Sequence, residues 1–261
     1  MFSRRIKMIL EYVGTAYCGW QVQDNGLSIQ EVVTSAVKAM VGHDVSLVGS
    51  SRTDSGVHAL GLPVHFDTTT EIPTFGFLRG LNSILPSDIR VVSVEDAPSD
   101  FHAQRDAKKK WYRYLILNAP HASAILSNRS WHRFRDLNID LMNEVSQQLV
   151  GQHDFTAYCA IDDQSKSKER TVLDIQWHEL KADARLEVAS AAPLAGHLIA
   201  CDVVGEGFLK QMVRNIVGTV LEVGEGRRQA GDIKKALDAK DRRAGGVCAP
   251  AEGLYLMKVY Y

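Results

Sequence analysis

The chain has 261 residues, 45% of them hydrophobic and 23% charged, with a formal net charge of −1. That length builds one large domain or two small ones, and the charge balance excludes indiscriminate nucleic-acid binding while leaving room for a local basic groove. No apolar run approaches the roughly 20 residues that span a bilayer, and Met1 to Lys7 has no room for a signal-peptide core, so a cytosolic protein is expected.

Arg5 to Tyr12 alternates as a strand. Ser28 and Glu31 form a capping box for a helix carrying Val32, Val33, Ala36, Val37 and Met40, and Gly42 closes it. Val45 to Ser50 and Pro63 to Asp67 read as strands, Phe75 to Leu85 as a helix stopped by Pro86, and Ile89 to Val94 as a strand. The order is the split β-α-β-β-α-β plan of ferredoxin-like folds and RNA-recognition modules. A similar pattern restarts with a strand at Trp111 to Leu117 and a helix at Ile139 to Val150. Strands at Thr171 to His178, Arg185 to Val188 and Leu198 to Val204 follow, then helices at Phe208 to Val223 and Asp232 to Ala239, and a last strand at Leu254 to Tyr260. The expected fold is α+β: two ferredoxin-like, RRM-like halves, residues 1–104 and 105–261, sharing an extended antiparallel sheet with helices on one face and a central cleft.

Cys18, Cys159, Cys201 and Cys248 are far apart, and the nine histidines form no H-E-x-x-H or tight cluster. Buried or idle thiols and no metal site are expected. Between Gln104 and Arg113 stand five basic residues (Arg105, Lys108, Lys109, Lys110, Arg113) against one acid, Asp106, with Trp111, Tyr112 and Tyr114 beside them. Such interleaving suits a phosphate backbone with a stacked base; a solvated strand end has the same composition.

The segment Ser50 to Leu60, SSRTDSGVHAL, connects two strands and is rich in small residues. Asp54 lies two residues after Arg52 and four before His58. A nearby guanidinium keeps a carboxylate ionised, the state that nucleophilic or electrostatic chemistry at a sugar carbon needs. A surface turn capped by Asp54 and paired to Arg52 reads equally well from the loop alone. An aspartic-protease D-S-G at Asp54 is disfavoured, because that chemistry needs a second such aspartate and none occurs.

R-T-D-S-G-V-H-A, Arg52 to Ala59, resembles the signature G-R-T-D-A-G-V-H of the TruA family of tRNA pseudouridine synthases. The resemblance extends in order through Glu11-Tyr12-Val13-Gly14 with Tyr17-Cys18-Gly19-Trp20-Gln21, Ser28-Ile29-Gln30-Glu31, and Phe101-His102-Ala103 with Tyr112-Arg113-Tyr114. It continues in Met212 to Gly218 and in Ala249-Pro250-Ala251-Glu252-Gly253-Leu254-Tyr255-Leu256. Departures are Ser51 for Gly, Ser55 for Ala, Gln104 for Arg and Cys248 for Thr.

The resemblance implies a cofactor-free isomerisation of uridine to pseudouridine in the anticodon stem-loop of tRNA, at positions 38–40, by a homodimer. It places the essential aspartate at Asp54, its basic partner at Arg214 and the base-stacking tyrosine at Tyr112. Arg52 falls on the residue that takes the space of the extruded base, and Leu254 on the apolar wall of the pocket. Arg105, Lys110 and His58 are expected to face the RNA. A non-catalytic RNA-binding protein on the same scaffold is the rival reading, set against it by the joint presence of Asp54, Arg52, Tyr112 and Arg214.

Overall fold

The structure is a computed structural model that describes residues 3–180 and 196–261; the strand expected at Arg185 to Val188 lies outside them. The fold is α+β, and the chain divides into two compact units: Met1–Lys110 with Tyr255–Tyr261, and Trp111–Leu254.

The first unit follows the split plan in the expected order. Its elements are β1 (Arg4–Tyr12), α1 (Ile29–Val41), β2 (Val48–Gly49), β3 (His58–Thr68), α2 (Thr74–Ile84) and β4 (Ile89–Ala97). The strands run β4-β1-β3, with β2 on β3, and β1 pairs antiparallel with both neighbours. Alternation along β1 puts Ile6, Met8 and Leu10 in the core at 0% exposure, where Leu62, Val64 and Phe66 of β3 and Ile29, Val33 and Val37 of α1 are also buried. Phe77 of α2 meets Phe66 edge to face, 5.7 Å between centroids.

Helix α1 begins where expected: the Ser28 side chain accepts the Glu31 N–H at 3.2 Å, and Gly42 closes the helix in the left-handed region at φ 75°. Strand β2 is far shorter than Val45 to Ser50. The Trp20 indole packs against Gly49, where a Cβ would lie 2.6 Å from the ring, so the segment carries tertiary packing in place of a long ladder. A last strand, β10 (Leu254–Tyr260), pairs with β3 in parallel, Tyr255 opposite His58. The expected extended antiparallel sheet therefore contains a parallel pair here. A parallel pair needs a long crossover, and nearly the whole second unit stands between these two strands.

The second unit carries β5 (Lys109–Asn118), β6 (Trp131–Arg133), α3 (Ile139–Ser146), β7 (Gly151–Asp154), β8 (Glu169–Glu179), β9 (His197–Gly205), α4 (Met212–Gly224) and α5 (Asp232–Ala239). The strands run β5-β9-β8-β7, with β6 parallel to β5. Strands β5, β8 and β9 with helices α3 and α4 repeat the plan of the first unit, and the short strands β6 and β7 are additions that their sequence did not announce. Helix α3 is tied to the sheet through Asn143, which bonds both the N–H and the C=O of Trp177 at 2.8 Å.

Helix α4 starts later than the expected Phe208. Gln211 takes the left-handed conformation, φ 59°, and Phe208 turns to pack its ring on Tyr112. Its apolar spacing continued the helical pattern, but the side chain serves the sheet.

Candidate active site

In the first unit the Asp54 loop is held by the opening motif. Val57 N–H donates to the Asp54 carbonyl at 3.1 Å, and Gly56 at φ 80° takes the turn position that needs positive φ. The Thr53 carbonyl accepts the Trp20 N–H at 3.1 Å, the Thr53 hydroxyl bonds the Tyr12 hydroxyl at 2.7 Å, and the Ser55 hydroxyl donates to the Tyr17 carbonyl at 3.1 Å. Two glycines make this wrapping possible. A Cβ on Gly14 would sit 2.0 Å from the Val57 carbonyl oxygen, and one on Gly19, at φ 109°, 2.6 Å from that of Thr53. Asp54 is half-buried at the head of this turn.

Arg52 is exposed and forms no hydrogen bond or ion pair among the described residues. It is not the partner of Asp54, which corrects the expected Arg52–Asp54 pairing: residues two apart in this loop diverge, one outward and one half-inward. His58 is 1% exposed; its Nδ1 accepts the Gly14 N–H at 3.0 Å and its ring lies 4.7 Å from that of Tyr255. His58 thus sits beneath the loop.

The basic run resolves residue by residue. Arg105 is exposed, bonded to the Asp106 carboxylate at 3.2 Å and the Asp100 carbonyl at 3.0 Å. Lys108 is exposed, and Lys109 lies over the Tyr260 ring, 4.7 Å from its centroid. Lys110 turns inward: its Nζ donates to the Ser50 carbonyl at 2.8 Å, and burial lowers its pKa to about 8. Arg113 grips Asp202 through two bonds of 2.8 and 2.7 Å, and the Trp111 indole N–H joins the same carboxylate at 2.7 Å.

Strand alternation on β5 sends Trp111 and Arg113 to one face and Tyr112 and Tyr114 to the other. Tyr112 is 8% exposed, its ring edge-on to Phe208 at 5.3 Å. Tyr114 is fully buried and donates its hydroxyl to the Pro250 carbonyl at 2.8 Å. Gly253 packs on the Tyr114 ring, where a Cβ would come within 2.5 Å, and the next residue, Leu254, is 5% exposed.

Every residue of α4 except Arg214 is buried. The Arg214 Nε donates to the Ala249 carbonyl at 2.7 Å, and the Ala249 N–H returns a bond to the Arg214 carbonyl at 3.1 Å. The segment 242–250 is laced along α4 to make this possible. Arg242 bonds the fully buried Asn215 at 2.7 Å, the Gly246 N–H bonds the Thr219 hydroxyl at 2.9 Å, and Gly218 lets the Val247 carbonyl lie on the helix. Glu222 receives Arg227 and Arg228, and Arg228 in turn holds the Ala244 and Gly245 carbonyls at 3.0 Å each. The guanidinium is thereby fixed along one edge.

Sequence reading passed over Tyr12, Tyr114, Asn215 and Gly218 as site-builders. Their local signal was membership in the blocks of resemblance and, for Tyr114, a place in the basic-aromatic run. The first unit thus carries Arg52, Asp54 and His58 on or beside one loop, with Lys110 bonded to its start and Arg105 bonded apart from it to Asp106 and Asp100, and the second carries Tyr112, Arg214 and Leu254. Among the described residues no three His, Cys, Asp or Glu side chains assemble as a metal site, and no helix is long and apolar enough to cross a membrane.

The chain is similar to known proteins over nearly its whole length. The sequence profile described as tRNA pseudouridine synthase matches residues 8–106 and 145–261. A protein of Ruminiclostridium cellulolyticum called tRNA pseudouridine synthase A is 41% identical over 258 residues, covering 99% of this chain and 100% of its own. Proteins of the same name from Acetivibrio thermocellus and Geotalea daltonii are 40% and 41% identical over the same span, each again covered over 100% of its length.

Proposed function

The chain belongs to the tRNA pseudouridine synthase family, and on that premise we propose that it acts on uridines at positions 38–40 of the anticodon stem-loop through Asp54. It is an enzyme that isomerises uridine in tRNA. The overall chemistry breaks the N1–C1′ bond, joins C5 to C1′, and moves a proton from C5 to solvent while N1 gains one; product and substrate are isomers, so no redox partner enters the balance.

A paired or stacked uridine must first leave its helix, at a cost of a few kcal/mol. In this proposal Tyr112 stacks on the extruded uracil, returning about 1–3 kcal/mol, and Leu254 supplies an apolar wall. Arg52, exposed and uncommitted, fills the space the base vacates. Arg214 keeps the Asp54 carboxylate charged, and Arg105 meets the phosphate backbone. His58 supports the loop from below. Several adjacent uridines in many tRNAs are served by reading shape and backbone, and the enzyme works in the cytosol as a homodimer.

The observation that carries the assignment to Asp54 is the loop itself: a half-buried carboxylate on a turn clamped by the Tyr12 to Trp20 motif, with Arg52 left free of it. Tritium release from tRNA labelled at uridine C5 tests it directly, because forming the C5–C1′ bond expels that hydrogen. Wild type releases tritium and Asp54→Asn does not. Release by both proteins overturns the choice of Asp54, and tight tRNA binding with release by neither overturns the enzymatic reading in favour of a binding protein.

A further inference from the structure

The loop that carries Asp54 is anchored unevenly. From Thr53 onward it has the Trp20 and Tyr12 contacts, both on Thr53, and the Tyr17 and Gly14 contacts already described. Upstream, the Ser50 N–H donates to the Pro63 carbonyl of β3 at 2.9 Å, and the Ser50 carbonyl is held by a side chain from 60 residues away, the Lys110 ammonium at 2.8 Å. The next residue, Ser51, is 4% exposed, and its hydroxyl finds no hydrogen-bond partner among the described residues, so it adds no tether of its own. The Lys110 bond is therefore the last side-chain hold described on the chain before Thr53.

We propose that Lys110 is a positioning residue of the reaction: its ammonium grips the Ser50 carbonyl and sets the entry of the loop that presents Asp54. The proposal rests on the assignment of Asp54 as the reacting carboxylate. It replaces the phosphate contact expected of Lys110 from the basic run. Among the described residues no carboxylate lies within 4.0 Å of Lys110, so the cation meets a backbone oxygen where a lysine usually meets an acid. A charge-assisted bond of this kind is stronger than a neutral one, and it fixes backbone, the part of the loop that no rotamer change can readjust. Burial also holds the amine near its titration point, at a pKa of about 8.

The titratable groups on the surrounding elements are Arg52 and Asp54 on the loop, His58 and His65 on β3, and His102, Arg105 and Asp106 in the segment before β5. Asp67 on β3, Asp100 in the same segment before β5, Lys108 and Lys109 on the chain beside it, Tyr255, Lys258 and Tyr260 on β10, and Tyr261 complete the set. Burial lowers His65 to about 4 and raises Tyr261 far above neutrality, and its bonds to the His102 N–H and Arg105 lower Asp106. Every one of these groups is common to wild type and a Lys110→Arg variant, so a comparison of the two isolates residue 110.

The experiment compares wild type, Lys110→Met, Lys110→Arg and Asp54→Asn by tRNA affinity and by the single-turnover rate of tritium release from C5-labelled tRNA. Lys110→Met is expected to bind tRNA within threefold of wild type and to react at least 30-fold more slowly. Lys110→Arg, which keeps a charged donor, recovers to within about fivefold. Between pH 7 and 9.5 the wild-type rate falls at least threefold relative to that of Lys110→Arg, a measurement that stands even if Lys110→Met does not fold. A wild-type rate in Lys110→Met overturns the proposal. So does a tenfold loss of affinity at unchanged rate, with the salt dependence of binding reduced by about one phosphate contact, and so do parallel pH profiles of wild type and Lys110→Arg. Full activity of Asp54→Asn would instead sink the assignment of Asp54, whatever Lys110 does.

Discussion

Replacing a glycine inside a helix by alanine ordinarily stabilises it by about 0.5–1 kcal/mol. Gly218, in the middle of α4, is predicted to do the opposite. A Cβ there would lie 1.9 Å from the Val247 carbonyl oxygen, 2.9 Å from its carbon and 3.2 Å from the Ala249 nitrogen. All three are backbone atoms, so the segment 247–249 must retreat by more than 1 Å to reach ordinary contact. That retreat strains or breaks the two bonds between Arg214 and Ala249, and the Gly246 N–H to Thr219 bond with them. Three hydrogen bonds at about 0.5–1.5 kcal/mol each, together with an overpacking cost of about 1–3 kcal/mol, exceed the helix-propensity gain. A net loss of at least about 1.5 kcal/mol is expected for Gly218→Ala.

The functional effect should be larger than the stability effect under conditions where the variant is folded. Arg214 loses the carbonyl that orients its guanidinium, and in the role proposed for it beside Asp54 a displacement near 1 Å costs on the order of 100-fold in rate. Urea unfolding gives the first quantity and single-turnover tritium release the second. Gly231→Ala is the control, since a Cβ there meets nothing within 4 Å and its φ is −70°; it should change stability by no more than about 0.5 kcal/mol. A Gly218→Ala protein as stable as wild type, with its rate intact, would refute the claim that the 247–249 segment lies directly on α4 and orients Arg214.

Ser28→Ala removes the cap of α1 and should lower stability by about 1 kcal/mol in urea unfolding, with the rate of tritium release unchanged. Tyr114→Phe deletes the bond to the Pro250 carbonyl and should cost about 1 kcal/mol while slowing release several-fold; a stability loss with no change of rate would show that the 250–254 corner does not need this tether for Leu254 to work. His65 is buried and neutral, accepting the Ala103 N–H at 3.2 Å, and burial followed by the Arg5 and His102 charges lowers its pKa from 6.5 to about 4. In that window the unfolded chain binds a proton that the folded chain does not, so stability is full above pH 6.5 and is lost as pH falls toward 4, by up to about 1.4 kcal/mol per pH unit. His65→Gln keeps an acceptor without the titration, and should escape about 2 kcal/mol of the loss between pH 6.5 and 5; equal acid sensitivity of the two proteins would assign the loss to other groups.

The elements that could be read from the chain are those whose ends are written locally. Ser28, Glu31 and Gly42 define α1 within one turn at each end, and α5 and β10 run over the expected residues. Strand β2 shrank and α4 started late because their boundaries depend on distant partners: Trp20 occupies the space at Gly49, and Phe208 leaves the helical pattern for the ring of Tyr112. The site divides the same way. The loop chemistry brought Asp54 into view, the basic-aromatic run brought Tyr112, and the family resemblance alone brought Arg214, but the direction each side chain takes is set by register and turn geometry. Arg52 and Asp54 diverge across one residue, and Lys108 and Lys110 point to solvent and interior from alternate positions of one strand end.

The supporting residues were the least legible, for a physical reason. Gly14, Gly19 and Gly218 are required not by their own φ alone but by a backbone that passes within 2.0, 2.6 and 1.9 Å of a missing Cβ, from chain 43, 34 and 29 residues away. A glycine of that kind carries no local signature, since helix α4 would gain intrinsic stability by replacing it. The constraint exists only once the fold has brought the second segment in. A reacting group can be recognised from its own chemistry, whereas the precision with which it is held belongs to pairs of segments. Loss of function without loss of Asp54, Tyr112 or Arg214 is therefore expected first at such contacts, where a single methyl group displaces backbone that no side-chain adjustment can restore.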